Sequence, residues 1–420
     1  MFDVTDPAQC GFDPGRLERI GSFLQETYID TGRLPHAQIA VSRGHRPIYY
    51  FKTGALNSAG DELPDDAIFR IASMTKPVTS IAFMQLVEKC LVALDDPVTR
   101  VIPEFASLGV YAGGGGDLPF APTRPARPIR FVDLLTHTAG LTYGLQNRTN
   151  VDAAYRRGKL DITRDMASED YIAALAKIPL EHAPGERWTY SVATDVLGVA
   201  VERLSGQKLG DYFREHIFAP LGMEDTAFEL GEGADRRLAD GWAYQPGGKP
   251  VLFDSGKDSA FHRPAAFHSG GGGLAGTIGD YQRFCTMLLN RGSLDGARIV
   301  APKTLDLMTA NHLPGGADLT QVSDALFSEA SNAGTGFGLG FATVIDPART
   351  LIPASRGEFY WGGAHSTAFF VDPVEDISMV FMTQLYPSNT YPLRRQIKTM
   401  IYAAMMESRA GGRGDAARPQ

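Results

Sequence analysis

Ser73 and Lys76 lie three residues apart in the stretch Phe69-Arg70-Ile71-Ala72-Ser73-Met74-Thr75-Lys76-Pro77. On a helix that spacing puts a hydroxyl and an amine on one face. A serine beside a lysine is a nucleophile beside a potential base, the pairing that attacks a carbonyl and carries an acyl group. Taken alone, S-x-x-K reads equally well as a helix start with a solvated lysine. A second match, Ser205-Gly206-Gln207-Lys208, falls in a polar break between two helical patterns and reads as a turn. The first match has apolar residues before it. Ile81, Met84, Leu86, Val87 and Leu91 follow near helical period, which predicts a sharp turn into an amphipathic helix. Ser73 would open that helix and cap a free backbone N–H. Pro77, in the first turn, does little harm there.

Two other stretches carry usable groups. In Pro184-Gly185-Glu186-Arg187-Trp188-Thr189-Tyr190-Ser191-Val192, a tyrosine stands on the turn before a helix. The ordinary fate of such a residue is half-burial with its hydroxyl bonded locally. In Tyr360-Trp361-Gly362-Gly363-Ala364-His365-Ser366-Thr367, paired glycines at a strand let a ligand approach the backbone, or simply make a bulge. No G-x-S-x-G is present, which disfavours an α/β-hydrolase nucleophile elbow. A Ser–His–Asp triad using His137 or His365 stays open, with no spacing that favours it. There is no H-E-x-x-H, so a zinc hydrolase of that kind is excluded, and no metal or cofactor is expected.

The elements that must position these groups can be read in chain order. Asp13 caps a first helix to about Tyr28, with Pro14 at its first position and Leu17, Ile20, Phe23 and Leu24 as its stripe. Residues 38–42 and 47–51 flank a short loop and form a hairpin. After the Ser73 helix comes an irregular stretch with Gly113-Gly114-Gly115-Gly116, read as a surface loop because no Gly-Lys-Ser/Thr follows. Helical patterns recur at 131–135, 168–177, 194–204, 209–217, 279–290 and 302–309. Gly270-Gly271-Gly272-Gly273 reads as a compact turn. Residues 337–344, 358–361, 366–371 and 377–384 read as strands, and a last helix spans about 392–406.

Strands at both ends and helices between them give an α/β (α+β) architecture. An antiparallel sheet built from both termini is flanked by the terminal helices, with a helical domain inserted. The expected division is 1–70 and 291–408 for the sheet domain, 71–290 for the helical one, and a disordered tail over 409–420. Ser73 leaves the sheet domain where a cleft between the two would lie.

The 420 residues suffice for a large core. A net charge of −8 offers no basic stripe for nucleic acid. Three cysteines, Cys10, Cys90 and Cys285, have no C-x-x-C spacing and argue against a disulfide framework. The N-terminus lacks a positive and then apolar leader, and no run is long enough to span a bilayer, so a cytoplasmic protein without membrane contact is expected. The oligomeric state is not readable.

Together the three motifs resemble those of the serine β-lactamase and penicillin-binding-protein superfamily, most of all its class C-like members and the family VIII carboxylesterases. The resemblance covers about residues 10–405. It includes motif order, the segment Leu134-Leu135-Thr136-His137-Thr138-Ala139-Gly140-Leu141, and Pro184-Gly185 ahead of the tyrosine. It implies a β-lactamase-like fold and roles for these residues. Ser73 would form an acyl-enzyme, and Lys76, kept neutral by burial, would share the seryl proton with Tyr190. The backbone N–H groups of Ser73 and Ala364 would hold the oxyanion. Tyr143, Trp361, Gly362, Gly363 and His365 would line the substrate pocket.

Two departures matter. Val192 stands where the family's Y-x-N element carries an amide, and Trp361-Gly362-Gly363 stands for its K-T-G. Tryptophan shapes a pocket rather than recognising an anion. Both changes match the esterases better than the lactamases. The expected function is therefore carboxyl-ester hydrolysis on small, short-chain esters. The competing readings are a β-lactamase or D-amino-acid peptidase, an acyltransferase, and a penicillin sensor that acylates without turnover.

Overall fold

The protein is described here by a computed structural model covering residues 2–124, 127–161, 163–323 and 332–410. Its central sheet has seven strands: β1 (His36–Arg43), β2 (Arg46–Gly54), β3 (Thr335–Phe337), β4 (Ala342–Val344), β5 (Phe359–Gly362), β6 (Ala368–Asp372) and β7 (Ile377–Met382). They pair antiparallel in the order β3-β4-β5-β6-β7-β1-β2. The termini meet in mid-sheet, where β1 runs against β7 from Gln38 opposite Met382 to Arg43 opposite Ile377.

The helices that bear on the site are α1 (Pro14–Leu24), α2 (Thr75–Glu88), α3 (Phe131–Leu135), α4 (Ala193–Ser205), α5 (Ile278–Leu289) and α6 (Leu393–Ala404). Side chains alternate along a strand, so the sheet feeds two cores. Along β7, Ile377, Met379 and Phe381 pack with Leu17, Ile20 and Leu24 of α1 and Ile397 and Ile401 of α6. Val380 and Met382 face the larger core, which α2 and α4 fill. At the start of α1, Asp13 accepts from the Arg16 N–H at 3.1 Å and Pro14 takes the first position.

α5 lies on the inner face of the sheet. Its Tyr281 ring is 5.2 Å from Phe369, and Gln282 donates to the hydroxyls of Ser42 and Ser378.

Four departures of the fold from the sequence reading stand out. Residues 337–344 are not one strand. Gly338 donates to the Phe341 carbonyl at 2.7 Å, and this tight turn separates β3 from β4. α2 is not amphipathic: every residue from Thr75 to Leu86 is buried, because the helix runs between the sheet side and the helical side of the core. A helix at Asn150–Gly158 was not foreseen, although Thr149 and Asp152 form a capping box at its start. Of the expected disordered tail, residues 411–420 lie outside the described residues. Arg409 is anchored, its N–H donating to Glu375 at 2.8 Å beside a bond from Ser408.

Candidate active site

Ser73 sits in a short 3-10 turn, Ala72–Met74, that leads into α2. The preceding Ala72 has φ 45°, a left-handed backbone that costs an alanine roughly 1–2 kcal/mol. Its neighbour Ile71 is held on both sides: its N–H donates to Leu274 at 3.1 Å and its carbonyl accepts from Thr367 Oγ1 at 3.4 Å. The Ser73 side chain caps no helix N–H, contrary to the sequence reading. Its oxygen is instead the meeting point of two other side chains.

Tyr190 donates to Ser73 Oγ at 2.6 Å, and Lys76 Nζ approaches the same oxygen at 3.3 Å. Lys76 is buried, 1 % exposed. Its amine also donates to the Tyr143 hydroxyl at 3.0 Å and to the Gly271 carbonyl at 2.6 Å. Three oxygens thus surround a buried nitrogen, which answers the cost of taking it out of water. The nitrogen also lies 4.6 Å from the centre of the Tyr190 ring.

Tyr190 owes its place to the loop that follows α3. Thr189 donates to the His137 carbonyl at 2.9 Å, Gly185 to Thr138 at 2.8 Å, and Gln146 Nε2 to the Tyr190 carbonyl at 2.9 Å. The same loop carries Tyr143. Around the Tyr190 ring stand His137, Tyr143, Trp361 and Trp188, at 5.0, 5.4, 5.4 and 6.0 Å between ring centres. This aromatic shell lowers the local dielectric and strengthens the polar contacts inside it.

The opposite wall is the end of β5. Trp361 faces Tyr190 and Phe337, while Gly362 backs onto Arg394, whose guanidinium would lie 2.5 Å from any Cβ added there. Arg394 donates to the carbonyls of Gly363 and Thr367 at 3.1 and 3.2 Å, and Gly363 donates to Thr367 at 2.9 Å. The turn carrying Ala364 is therefore fixed. Gly363 packs on the Ser73 turn so closely that a Cβ would come within 2.5 Å of the Ile71 carbonyl, which places Ala364 beside that turn. Val192 is fully buried in the core.

His365 lies beside Tyr386 and Phe253, its ring centre 6.1 and 6.4 Å from theirs. Burial, with Arg70 adding to it, lowers its pKa to about 4, so at neutral pH it is a neutral ring. His137 is also held neutral: burial first and the Lys76 charge second push its pKa well below the usual value. His137 bonds Ser191, and among the described residues neither histidine bonds Ser73. The geometry thus gives no Ser–His–Asp triad.

Tyr143, expected as a pocket wall, accepts from Lys76 through its hydroxyl. Burial, with Asp195 second, raises its pKa well above that of a free phenol, so it is present as a neutral hydroxyl. The sequence reading missed Gly271 and Asp195. The one signal for Asp195 was a carboxylate inside the apolar run Val192-Ala193-Thr194-Asp195-Val196-Leu197. Among the described residues no group of three or more His, Cys, Asp or Glu could hold a metal ion, and no helix is long and apolar enough to cross a membrane.

With that geometry in place, comparison with known proteins defines the class: the chain belongs to the Beta-lactamase family, which it matches over residues 24–402. It is 38% identical over 333 residues to Protein Rv1367c of Mycobacterium tuberculosis, covering 78% of this chain and 80% of that one. It is 31% identical over 422 residues to Esterase EstB of Burkholderia gladioli, covering 95% and 98%. Among solved structures, EstCE1, described as a hydrolase with promiscuous acyltransferase activity, superposes with a TM-score of 0.76 at 27% identity, over 92% of this chain and 98% of that one. The fold and the family are therefore those of the β-lactamase-like serine hydrolases, with esterase relatives.

Proposed function

We propose that the protein is a serine carboxylesterase of the family VIII kind, cleaving small, short-chain esters through an acyl-enzyme on Ser73. The observation that carries this reading is the single Ser73 oxygen shared by Tyr190 and Lys76 at hydrogen-bond range. Both hydroxyls can rotate, so the Ser73–Tyr190 bond can also run with serine as donor, the direction that attack requires. Ser73 Oγ then bonds to the carbonyl carbon while its proton passes to the Lys76/Tyr190 unit. The Ser73 and Ala364 N–H groups receive the oxyanion. The alcohol C–O bond breaks as the proton returns to the departing oxygen, and water repeats the sequence to free the acid.

Esters are preferred to β-lactams because the wall at Trp361 is neutral and apolar, and His365 beyond it is neutral too. A lactam carboxylate would lose its water there without a matching charge. Relatives named as an esterase and as a hydrolase with promiscuous acyltransferase activity support the reading, and the second points to alcohols as alternative acyl acceptors. The test is a panel of nitrophenyl esters of rising chain length, nitrocefin and D-Ala peptides, each followed by intact mass. Ester turnover with a transient acyl adduct supports the proposal. Efficient nitrocefin hydrolysis with inert esters overturns it.

A further inference from the structure

A buried carboxylate stands behind the lysine and has no place in the scheme above. Asp195, in the first turn of α4, is 3 % exposed. Its Oδ1 accepts from the Gly271 N–H at 3.0 Å and from the Ser269 hydroxyl. The carbonyl of that same Gly271 is the 2.6 Å acceptor of Lys76. One glycine thus joins a buried carboxyl group to a buried amine. A Cβ at 271 would lie 2.3 Å from Asp195 Oδ2, so a side chain there would displace the carboxyl group. A second strut holds the same turn, with Thr79 Oγ1 of α2 donating to the Gly270 carbonyl at 2.7 Å.

We propose that Asp195 is a positioning residue for Lys76: through Gly271 it fixes the carbonyl that aims the amine at Ser73, and its charge balances the amine across that bridge. The inference rests on the Ser73 acyl-enzyme reading. The bond geometry gives the aim. The charge balance acts through the Gly271 bridge, since opposite charges attract more strongly in the protein interior than in water. Their coupling is felt at Asp195, where burial raises the carboxyl pKa and Lys76 acts to lower it. The groups facing the pair are Tyr143 and His137 from the loop after α3, Tyr190 before α4, and Tyr171 from a neighbouring helix; burial raises the pKa of Tyr143 and Tyr171 and lowers that of His137, so these three carry no charge. On α2 itself the other charged residue is Glu88, at the far end.

Asp195→Asn keeps an oxygen acceptor for the Gly271 N–H and removes the charge. Removing the anion makes a positive charge at this site less favourable. The acid limb of the kcat/KM profile for a nitrophenyl ester should then move down by about one pH unit, the size expected for one nearby charge. Asp195→Ala also frees the Gly271 turn, and kcat at the plateau should fall at least ~10-fold with KM little changed. Thermal melting and Ser73→Ala are run beside them. A lower Tm in both variants with an unmoved acid limb and unchanged plateau overturns the proposal and leaves Asp195 a purely structural residue. Should Ser73→Ala retain full activity, the acyl-enzyme reading itself fails, an outcome distinct from failure of the Asp195 role.

Discussion

The hydroxyls of Ser73 and Tyr190, 117 residues apart in the chain, meet at 2.6 Å, with Lys76 Nζ 3.3 Å from the same serine oxygen. A unit in which two groups handle one proton loses its function when either is removed. Lys76→Ala and Tyr190→Phe should each lower the acylation rate by about 10²–10⁴-fold. The double variant should be little worse than the poorer single one, because members of a catalytic unit are not additive. Stopped-flow acylation rates check this. Losses that multiply would mean two independent groups.

Tyr143 offers a sharper distinction, since a pocket wall and a lysine partner predict different kinetics. Tyr143→Phe keeps the ring and deletes the oxygen that accepts from Lys76. A hydrogen bond to a charged group is worth about 1.5–3 kcal/mol. We expect kcat to drop by ~10-fold or more with KM nearly constant. A raised KM at unchanged kcat would return Tyr143 to the pocket wall.

Trp361 governs the choice between esters and lactams. A missing charge-assisted hydrogen bond to a carboxylate costs roughly tenfold or more in affinity. Trp361→Lys should raise the ratio of nitrocefin to nitrophenyl-acetate turnover, and part of the effect will come from lost contact with Tyr190 and Phe337. A ratio that stays flat, with the variant folded by circular dichroism, would remove Trp361 from the specificity argument.

Stability should fall in acid through His36. This ring is fully buried on β1, its Nδ1 2.8 Å from the Ala55 carbonyl, and burial lowers its pKa to about 4. The folded state therefore binds a proton less readily than the unfolded chain, whose histidine titrates near 6.5. The contribution is fully present above pH 6.5 and is lost as pH falls towards 4, by on the order of 3 kcal/mol. His36→Gln should flatten the difference in urea midpoint between pH 7 and pH 4.5 relative to wild type. An identical slope in both proteins would contradict the assignment.

Much of the site is legible without the fold. Ser73 and Lys76 are neighbours because a helix makes them so, and Tyr190 is flagged by its motif. The sheet from both termini follows from where β-rich runs occur, and Asp13 and Pro14 declare the first helix. Other features depend on contacts that no local pattern encodes. The Lys76–Gly271 bond joins residues 195 apart, and it forms only because α4 and the glycine turn dock on α2. Tyr143 reads as a generic aromatic until the loop after α3 brings it to the amine. The break between β3 and β4 was hidden because Phe337, Leu339 and Phe341 alternate as a strand would. Gly338 and Gly340, which is left-handed at φ 95°, turn the chain there.

The proposed mechanism stands on Ser73 as the carrier of the acyl group. A fluorophosphonate or nitrophenyl phosphonate probe, followed by intact mass and peptide mapping, tests it most directly. We expect one equivalent of label, located on Ser73, with ester hydrolysis lost in proportion to labelling and no label on a folded Ser73→Ala variant. Label on Ser205 or another residue, or full ester turnover by the Ser73→Ala variant, would contradict it.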